Sequence, residues 1–409
     1  YQWTNNNTSI GLAAAGVGNI LSFAATNMSS TVQTATITVT PQLSSAGIVC
    51  FGSPQTFTIS VNPTPNAVAT PASQTICSGG SISAIVLNGN VSGTSYNWTR
   101  DNTTTVTGIP SSGSGNISGS LINTTSAPVT VTLTITPTAN GCPGSAITAT
   151  VLVNPTPNAV ATPASQTICS GGSITTIALS GNVSGTSYNW TRDNSATVTG
   201  IPSSGSGNIS GSLTNTTNAP VTVSFTITPT ANGCPGTAIT ATVLVNPTPN
   251  AVATPASQTI CSGGSISTIV LSGNVSGTSY NWTRDNTATV TGITSGGTGN
   301  IGGSLTNTTN APVTVSFTIT PTANGCPGTA ITATVLVNPT PNVLASPATQ
   351  IICSGVSINP ITIAGNVTGT VYSWTRNNPG VTGIASSGTG NISGTLVSTS
   401  LVPEVVTFT

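Results

Sequence analysis

The sequence predicts an all-β protein, built as a tandem array of β-sandwich domains of 92 residues each. An internal repeat is the first observation, because residues 63–154 and 155–246 are identical at 81 of 92 positions. A period this long indicates an array of whole domains rather than a thin solenoid. The second observation is a strict alternation of apolar and polar residues, which is typical of strands with one buried face. Third, no stretch shows a helical period or a helix-capping pattern.

One period contains about seven short predicted strands. The clearest is residues 129–136, in which Val, Leu and Ile occupy one face and Thr the other. Asn140 and Gly141 supply positive-φ turn residues for a hairpin, and residues 146–153 form its return strand. Further strands are predicted at residues 82–87, 95–100, 106–109 and 120–123, and a flexible connection at residues 113–119. This many strands around one central tryptophan predict a β-sandwich.

The motif Asn-Pro-Thr-Pro-Asn marks the predicted domain boundaries. It recurs at residues 62–66, 154–158, 246–250 and 338–342, and its prolines favour an extended or polyproline II backbone, which makes a short, stiff joint. The predicted domains are the first, second and third full repeats (63–154, 155–246 and 247–338), a leading repeat (1–62) without the first strands, and a trailing repeat (339–409) without the last strand. We therefore expect the chain to be a window on a longer polypeptide.

Charge is almost absent. Four Arg, three Asp and one Glu are the only charged side chains in 409 residues, and neither Lys nor His occurs. This composition excludes the basic surface by which proteins bind nucleic acid. Zero net charge leaves nothing to keep molecules apart in water, so we expect self-association or lateral bundling into fibres. No apolar run reaches the ~18 residues that a membrane span needs.

The sequence lacks the side chains that enzymes and metal sites require. General acid–base catalysis uses histidine or paired carboxylates, and each full repeat has one aspartate beside an arginine. Ser-His-Asp and Cys-His arrangements cannot form, and no carboxylates cluster to bind calcium or magnesium. We therefore predict no enzyme activity, no catalytic residues, no cofactor and no metal.

Two cysteines per period indicate disulfides in an oxidising, extracellular compartment. The candidates are Cys77, Cys142, Cys169, Cys234, Cys261 and Cys326. Pairing within each repeat (Cys77–Cys142, Cys169–Cys234, Cys261–Cys326) would close 65 residues and stabilise the fold by ~4 kcal/mol on the chain-entropy model. An ordinary sandwich, however, places its first turn and last hairpin at opposite ends, out of bonding reach. Pairing across the joint, Cys142 with Cys169, is the alternative.

A tyrosine–tryptophan pair recurs in every repeat. The predicted core aromatic residues are Tyr96, Trp98, Tyr188, Trp190, Tyr280, Trp282, Tyr372 and Trp374. A single tryptophan on the third strand of a sandwich is expected to anchor the core, whereas an exposed pair would form a sugar-stacking platform. Next to it, the neighbours Arg100 and Asp101 are expected to form a solvated turn pair of little energy, or the arginine to reach the adjacent repeat.

Four motifs together carry a resemblance to a known family. They are Ile-Cys-Ser-Gly at 76–79, Tyr-x-Trp-Thr at 96–99, Pro-Thr-Ala-Asn-Gly-Cys at 137–142 and Val-Leu-Val-Asn-Pro at 151–155. The chain resembles the PKD-like, immunoglobulin-like repeats of very large surface adhesins and fibres in Bacteroidota. That resemblance implies export across the outer membrane, often by the type IX system, a stalk or adhesive role, and no catalytic residues. The chain departs from PKD domains of the usual type in one place, because those carry Gly-Asp-Gly after the tryptophan strand, where this chain has Arg-Asp-Asn at 100–102.

Three functions follow as hypotheses. The first is a structural stalk or fibre segment of a large secreted, cell-surface adhesin or filament, whose property is length and stiffness. The second is a repeated weak glycan-binding module that acts by avidity. The third is a filament in which exposed sheet edges pair between chains.

Overall fold

The computed structural model describes all 409 residues and confirms the predicted all-β fold. Strands account for every element except one 3₁₀ turn, Thr8–Ile10, in the leading repeat. In the first full repeat the strands form two sheets that enclose one core. This is the predicted sandwich.

The larger sheet of the first full repeat contains the tryptophan strand (Ser95–Arg100), the long strand (Val129–Ala139), the return strand (Ile147–Asn154) and the cysteine strand (Ser73–Cys77), in that order. Ser112–Ser114 pairs with the outer side of the tryptophan strand. The two-residue strand Cys142–Pro143 pairs with the end of the long strand. All of these pairs are antiparallel, except that the cysteine strand runs parallel to the return strand.

The smaller sheet covers the other side of the core. Its order is Val106–Gly108, Ile117–Asn123, Ser81–Asn88 and Val68–Thr70. After Val68–Thr70 the chain turns at Pro71 and enters the cysteine strand of the larger sheet. The first segment of the repeat therefore contributes to both sheets.

The core follows from the alternation in the sequence. Val131, Leu133 and Ile135 on the long strand are at most 1% exposed, and the return strand buries Val151 and Val153 beside them. Between them, the threonines of the long strand point outward. Each of the three large core clusters draws its residues from one full repeat. A repeat therefore buries its apolar surface by itself.

One local expectation is wrong. Residues 113–119, predicted as a flexible connection, contribute to two strands, Ser112–Ser114 and Ile117–Asn123. A side chain at Gly113 would collide with the indole of Trp98. Glycine is present because the backbone lies directly on the tryptophan ring, and not because the segment is flexible.

The larger sheet has the same strand order in the second and third full repeats, whereas the smaller sheet there consists of two separate strand pairs connected by isolated bridges such as Ile177–Ile209 and Ile269–Ile301. The strands of the second are Val160–Thr162, Ser165–Cys169, Ala178–Ser180, Ser187–Arg192, Val198–Gly200, Ser204–Ser206, Leu213–Asn215, Val221–Ala231, Cys234–Pro235 and Ile239–Asn246. Those of the third are Val252–Thr254, Ser257–Cys261, Val270–Ser272, Ser279–Arg284, Val290–Gly292, Gly296–Thr298, Leu305–Asn307, Val313–Ala323, Cys326–Pro327 and Ile331–Asn338. Phe225 and Phe317 replace Leu133 and meet the neighbouring tryptophan edge-on, with ring centroids 5.7 Å apart.

The leading and trailing repeats have smaller cores. Strands of the leading repeat are Gln2–Asn5, Ala15–Val17, Gln33–Thr40, Gln42–Ser45, Ile48–Phe51 and Gln55–Val61. Those of the trailing repeat are Leu344–Ser346, Thr362–Ala364, Ser373–Thr375, Val381–Thr382, Ser387–Thr389 and Val397–Ser398.

Candidate functional site

The feature that distinguishes this chain is the joint between successive repeats. Between the first and second full repeats, the return strand ends at Asn154 and the next strand begins at Val160. Pro155 and Pro157 in this connection are buried, although the segment belongs to no strand. The proline segment is therefore packed between its neighbours and does not behave as an exposed tether.

Parallel pairing brings the first cysteine of each repeat to the joint. The register places Cys77 opposite Asn154, at the point where the return strand leaves the sandwich. The backbone N–H of Ser78 donates to the Asn154 carbonyl at 2.8 Å and continues this pairing by one residue. Cys77 therefore lies at the exit end of its repeat, although it is near the start of the repeat in sequence.

A hairpin of the following repeat meets this exit end. Asn232 and Gly233 have φ of 50° and 77° and make a tight turn, after which Cys234 is 1% exposed. The Asn154 side-chain amide donates to the Asn232 carbonyl at 3.2 Å across the joint. Equivalent bonds join Asn62 to Asn140 and Asn246 to Asn324.

The two cysteines at this joint are bonded to each other. Cys77 pairs with Cys234, with the Cα atoms 5.5 Å apart, and Cys169 pairs with Cys326 at 5.6 Å. The expected pairing within each repeat is wrong, and so is the alternative of Cys142 with Cys169. The first cysteine of a repeat and the second cysteine of the same repeat lie at opposite ends of the sandwich. Bonding reach exists only from the exit end of one repeat to the entry hairpin of the next.

Four cysteines remain free. Cys50, Cys261 and Cys353 are exposed, and Cys142 is half-buried. Of the disulfide candidates, Cys142 and Cys261 are therefore not bonded. Cys142 lies on the entry hairpin of the first full repeat, and Cys261 at the exit end of the third.

A glycine allows the proline segment and the hairpin to approach closely. A side chain at Gly236 would collide with the carbonyl oxygen of Pro157, and the Gly236 N–H donates to the Pro229 carbonyl at 2.8 Å. The same relation holds between Gly144 and Pro65, and between Gly328 and Pro249. The joint that precedes each of the three full repeats therefore requires glycine at this position.

A second side-chain contact stabilises some of the joints. Asn274 donates to the Asn218 side chain at 2.8 Å between the second and third full repeats, and Asn366 donates to Asn310 at the next joint. The residue equivalent to Asn218 in the first full repeat is Ser126. Its shorter side chain cannot reach the equivalent asparagine, so the joint between the first and second full repeats lacks this bond.

The arginine of each repeat holds its own loop. Arg192 Nε donates to the carbonyls of Ile201 at 2.7 Å and Pro202 at 3.1 Å, and Nη2 donates to Val198 at 2.9 Å. Burial lowers the pKa of the Arg192 guanidinium, and the charge of Asp193 opposes that shift. Both expectations for the Arg–Asp pair are therefore wrong: the arginine caps loop carbonyls, and the Asp193 carboxylate accepts the Ser224 N–H at 2.7 Å.

The tryptophans face inward. Trp98, Trp190, Trp282 and Trp374 are all between 7% and 9% exposed, and the tyrosine two residues before each is half-buried at Tyr96, Tyr188 and Tyr280 and likewise at Tyr372. A glycine backbone covers each indole, as Gly205 covers Trp190. The indole faces of these four tryptophans are therefore not available for a sugar ring to stack on.

Metal-binding side chains do not cluster elsewhere in the chain. No group of three or more His, Cys, Asp or Glu side chains lies close enough together to hold a metal ion. The chain also has no helix with the length and apolar character that crossing a bilayer would take.

Proline-jointed β-sandwich repeats, linked in series by disulfides, define the chain as a modular multi-repeat β protein. The family model described as PKD-like domain matches residues 74–157, 166–249, 258–341 and 350–409. These stretches are more than half of the chain, so it belongs to the PKD-like domain family. Tandem repeats of this type are typical of extracellular adhesion or structural modules. No curated protein matches the sequence.

Several solved structures are similar to the chain at low sequence identity. Mouse cadherin-23 EC22-24 is 12% identical over 68% of this chain and 99% of that chain, with a TM-score of 0.34. Sidekick-1 immunoglobulin domains 1-5 are 12% identical over 83% and 73%, with a TM-score of 0.28. Drosophila OTK extracellular domains 3-5 are 12% identical over 65% and 94%, with a TM-score of 0.22.

Proposed function

We propose that the chain is a stalk segment of a secreted, cell-surface adhesin or extracellular filament, and that it supplies length and stiffness. The observation that carries this proposal is the disulfide from each repeat to the next, found at two successive joints. A binding module needs a stable domain, for which a disulfide within the repeat would suffice. A disulfide across the joint restricts the angle between two repeats, and a spacer that must stay extended needs that angle to be fixed.

The domain boundaries belong to the same proposal. We place them at residues 62/63, 154/155, 246/247 and 338/339, immediately before the first proline of each joint. Support comes from the three large core clusters, each of which lies within one full repeat, and from the side-chain bonds that cross these points.

The disulfides between repeats support an extracellular location, because structural disulfides persist in oxidising compartments. The resemblance to surface proteins of Bacteroidota supports export to the cell surface as the route. Glycan capture receives no support from the tryptophans, since their rings are covered.

The test is the distribution of bend angles at the joints, measured by electron microscopy of the purified chain. We expect narrow distributions at the two disulfide-linked joints, and a wider one at a single joint in the Cys77→Ser or the Cys169→Ser variant. The matched control is Cys142→Ser, which removes a free thiol and leaves every angle unchanged. Equal flexibility of native and variant joints would contradict the proposal, and binding of the native chain to a glycan array would favour the capture hypothesis.

A further inference from the structure

An asparagine followed by a glycine forms the turn of the entry hairpin in each of the three full repeats. In each turn both residues have positive φ, from 48° to 50° for the asparagine and from 76° to 77° for the glycine. Asparagine suits the first position because its side chain tolerates the left-handed region. The same dipeptide is chemically labile, because glycine has no side chain to shield its own nitrogen from the asparagine amide. The pairs are Asn140 with Gly141, Asn232 with Gly233, and Asn324 with Gly325.

The two groups that would react in this turn have no hydrogen-bond partner. In the second full repeat neither the Asn232 side-chain amide nor the Gly233 N–H makes a hydrogen bond, and both residues are exposed. Beyond its chain neighbours, no residue has an atom within 4 Å of the position that a side-chain carbon would take at Gly233, and the other two hairpins are equally open. Packing therefore leaves the glycine nitrogen free to approach the amide carbon, and water reaches both.

The first full repeat contains the same dipeptide in a packed position. Asn88 pairs with Val68 in the smaller sheet. A side chain at Gly89 would collide with the carbonyl oxygen of Asn66 and the hydroxyl of Tyr96. The strand pairing and this packing restrict the backbone rotation that brings the two reacting atoms together. The fold therefore contains open and protected copies of one labile dipeptide.

The hairpin asparagine also takes part in the joint between repeats. The Asn154 side chain of the preceding repeat donates to the Asn232 carbonyl at 3.2 Å. Two residues further on, Cys234 forms the disulfide to Cys77. A change in the covalent backbone at Asn232 therefore affects two contacts between the repeats.

We propose that the three entry-hairpin turns are sites of spontaneous deamidation, and that the isoaspartate formed there loosens the joints as the chain ages. In the first step the Gly233 nitrogen loses its proton to water and bonds to the side-chain amide carbon of Asn232. The carbon–nitrogen bond of that amide breaks, and ammonia leaves with a proton from water. The product is a five-membered succinimide ring.

The ring then takes up one water molecule. Addition at the former backbone carbonyl gives isoaspartate, in which the chain continues through the side-chain carbon, whereas addition at the side-chain carbonyl gives aspartate. Over both steps one water is consumed and one ammonia is released, so no oxidant or enzyme is required.

Isoaspartate changes the joint in two ways. The backbone of the turn becomes one methylene longer, so the hairpin loses the two-residue geometry that positions Cys234. The former Asn232 carbonyl leaves the main chain as a free carboxylate, and the turn no longer fixes its position relative to Asn154. Each event also adds a negative charge to a chain whose net charge is zero. This modification does not depend on the stalk function.

The reaction is tested by incubating the folded, disulfide-bonded chain in warm, mildly alkaline buffer and locating isoaspartate by enzymatic methylation and peptide mass spectrometry. We expect at least tenfold more isoaspartate at Asn140, Asn232 and Asn324 than at Asn88. In the reduced and denatured chain the four sites should react at the same rate, because they share one dipeptide. Equal rates in the folded chain, or hairpins that stay unmodified, would overturn the proposal.

Alanine supplies the control for the effect on the joint. Ala46, which precedes Gly47 in the corresponding turn of the leading repeat, has φ of 50°, so this turn accepts alanine. A chain with Asn140→Ala and Asn324→Ala keeps Asn232 as its one reactive hairpin. After incubation, electron microscopy should show a wider bend-angle distribution at the joint between the first and second full repeats.

The matched control adds Asn232→Ala to the same chain and should keep its bend angles through the incubation. A distribution that stays unchanged although Asn232 has become isoaspartate would refute the loosening of the joint. The isoaspartate measurement does not use bend angles, so its outcome is separate from that of the stalk proposal.

Discussion

Reduction of the two disulfides should lengthen the stretched chain in a strongly non-additive way. When the unfolded chain is pulled from residues 1 and 409, its extension is limited by the shortest covalent path. That path runs from Tyr1 to Cys77, crosses to Cys234, goes back along the backbone to Cys169, crosses to Cys326 and continues to Thr409. It contains about 224 backbone steps, against about 408 without disulfides, at roughly 3.5 Å per step.

The two single variants give the sharpest test. Without the Cys77–Cys234 bond the shortest path is about 251 steps, so Cys77→Ser releases only about 27 residues, or roughly 95 Å. Cys169→Ser releases the same length, because the two bonds have the same sequence separation of 157. The double variant releases about 184 residues, or roughly 640 Å, which is far more than twice either single effect.

Single-molecule force spectroscopy measures these lengths directly, with handles attached by peptide tags so that the free thiols stay unmodified. Cys142→Ser is the control and should leave the contour length unchanged. A release of about 65 residues per single variant would mean that cysteines pair within repeats. No change on reduction would mean that the disulfides do not form.

Three further variants test individual contacts. Arg192→Ala should lower the free energy of unfolding by about 2 kcal/mol in chemical denaturation, because the half-buried carbonyls of Ile201 and Val198 lose their donor; an unchanged midpoint would refute the capping role. Gly236→Ala should push the hairpin away from the proline segment, so that the Cys77–Cys234 disulfide no longer closes and both thiols react with a thiol reagent, while Gly302→Ala, whose added carbon would lie 3.5 Å from its nearest neighbour, should be tolerated. Ser126→Asn should supply the missing amide contact to Asn182 and narrow the bend-angle distribution at that joint, with a gain of about 1 kcal/mol; a wider distribution would argue against it.

The sandwich could be predicted from the sequence because its cause is local and periodic. Alternation along residues 129–136 decides which side chains face the core, and Val131, Leu133 and Ile135 are buried accordingly. The tryptophan strand was likewise predicted with the bounds that the structure has, Ser95–Arg100. Each of these features depends on neighbours within a few residues or on one strand pair.

The disulfide pairing could not be predicted by the same reasoning. It depends on whether each cysteine lies at the entry end or at the exit end of its sandwich. The parallel register of Ser73–Cys77 beside the return strand puts Cys77 at the exit, and no property of residues 73–77 alone specifies that register. One signal was present: an ordinary sandwich separates its first turn from its last hairpin. Applied to two successive repeats instead of one, that argument points to Cys77 and Cys234.

The two disulfides between repeats also determine at which residues a pulling force acts on each repeat. In the second full repeat the force arrives at Cys234, just before the return strand, and leaves at Cys169, the last residue of the cysteine strand. These two strands are parallel neighbours, in register from Ser165–Thr242 to Cys169–Asn246. The force therefore pulls the start of one strand and the end of the other in opposite directions along the strands. Their evenly spaced hydrogen bonds are loaded together in shear and not one after another. With disulfides inside the repeats, the backbone of each joint would carry the same force alone. The pairing between repeats therefore resists extension in two places, at the joint and between the two parallel strands inside the sandwich.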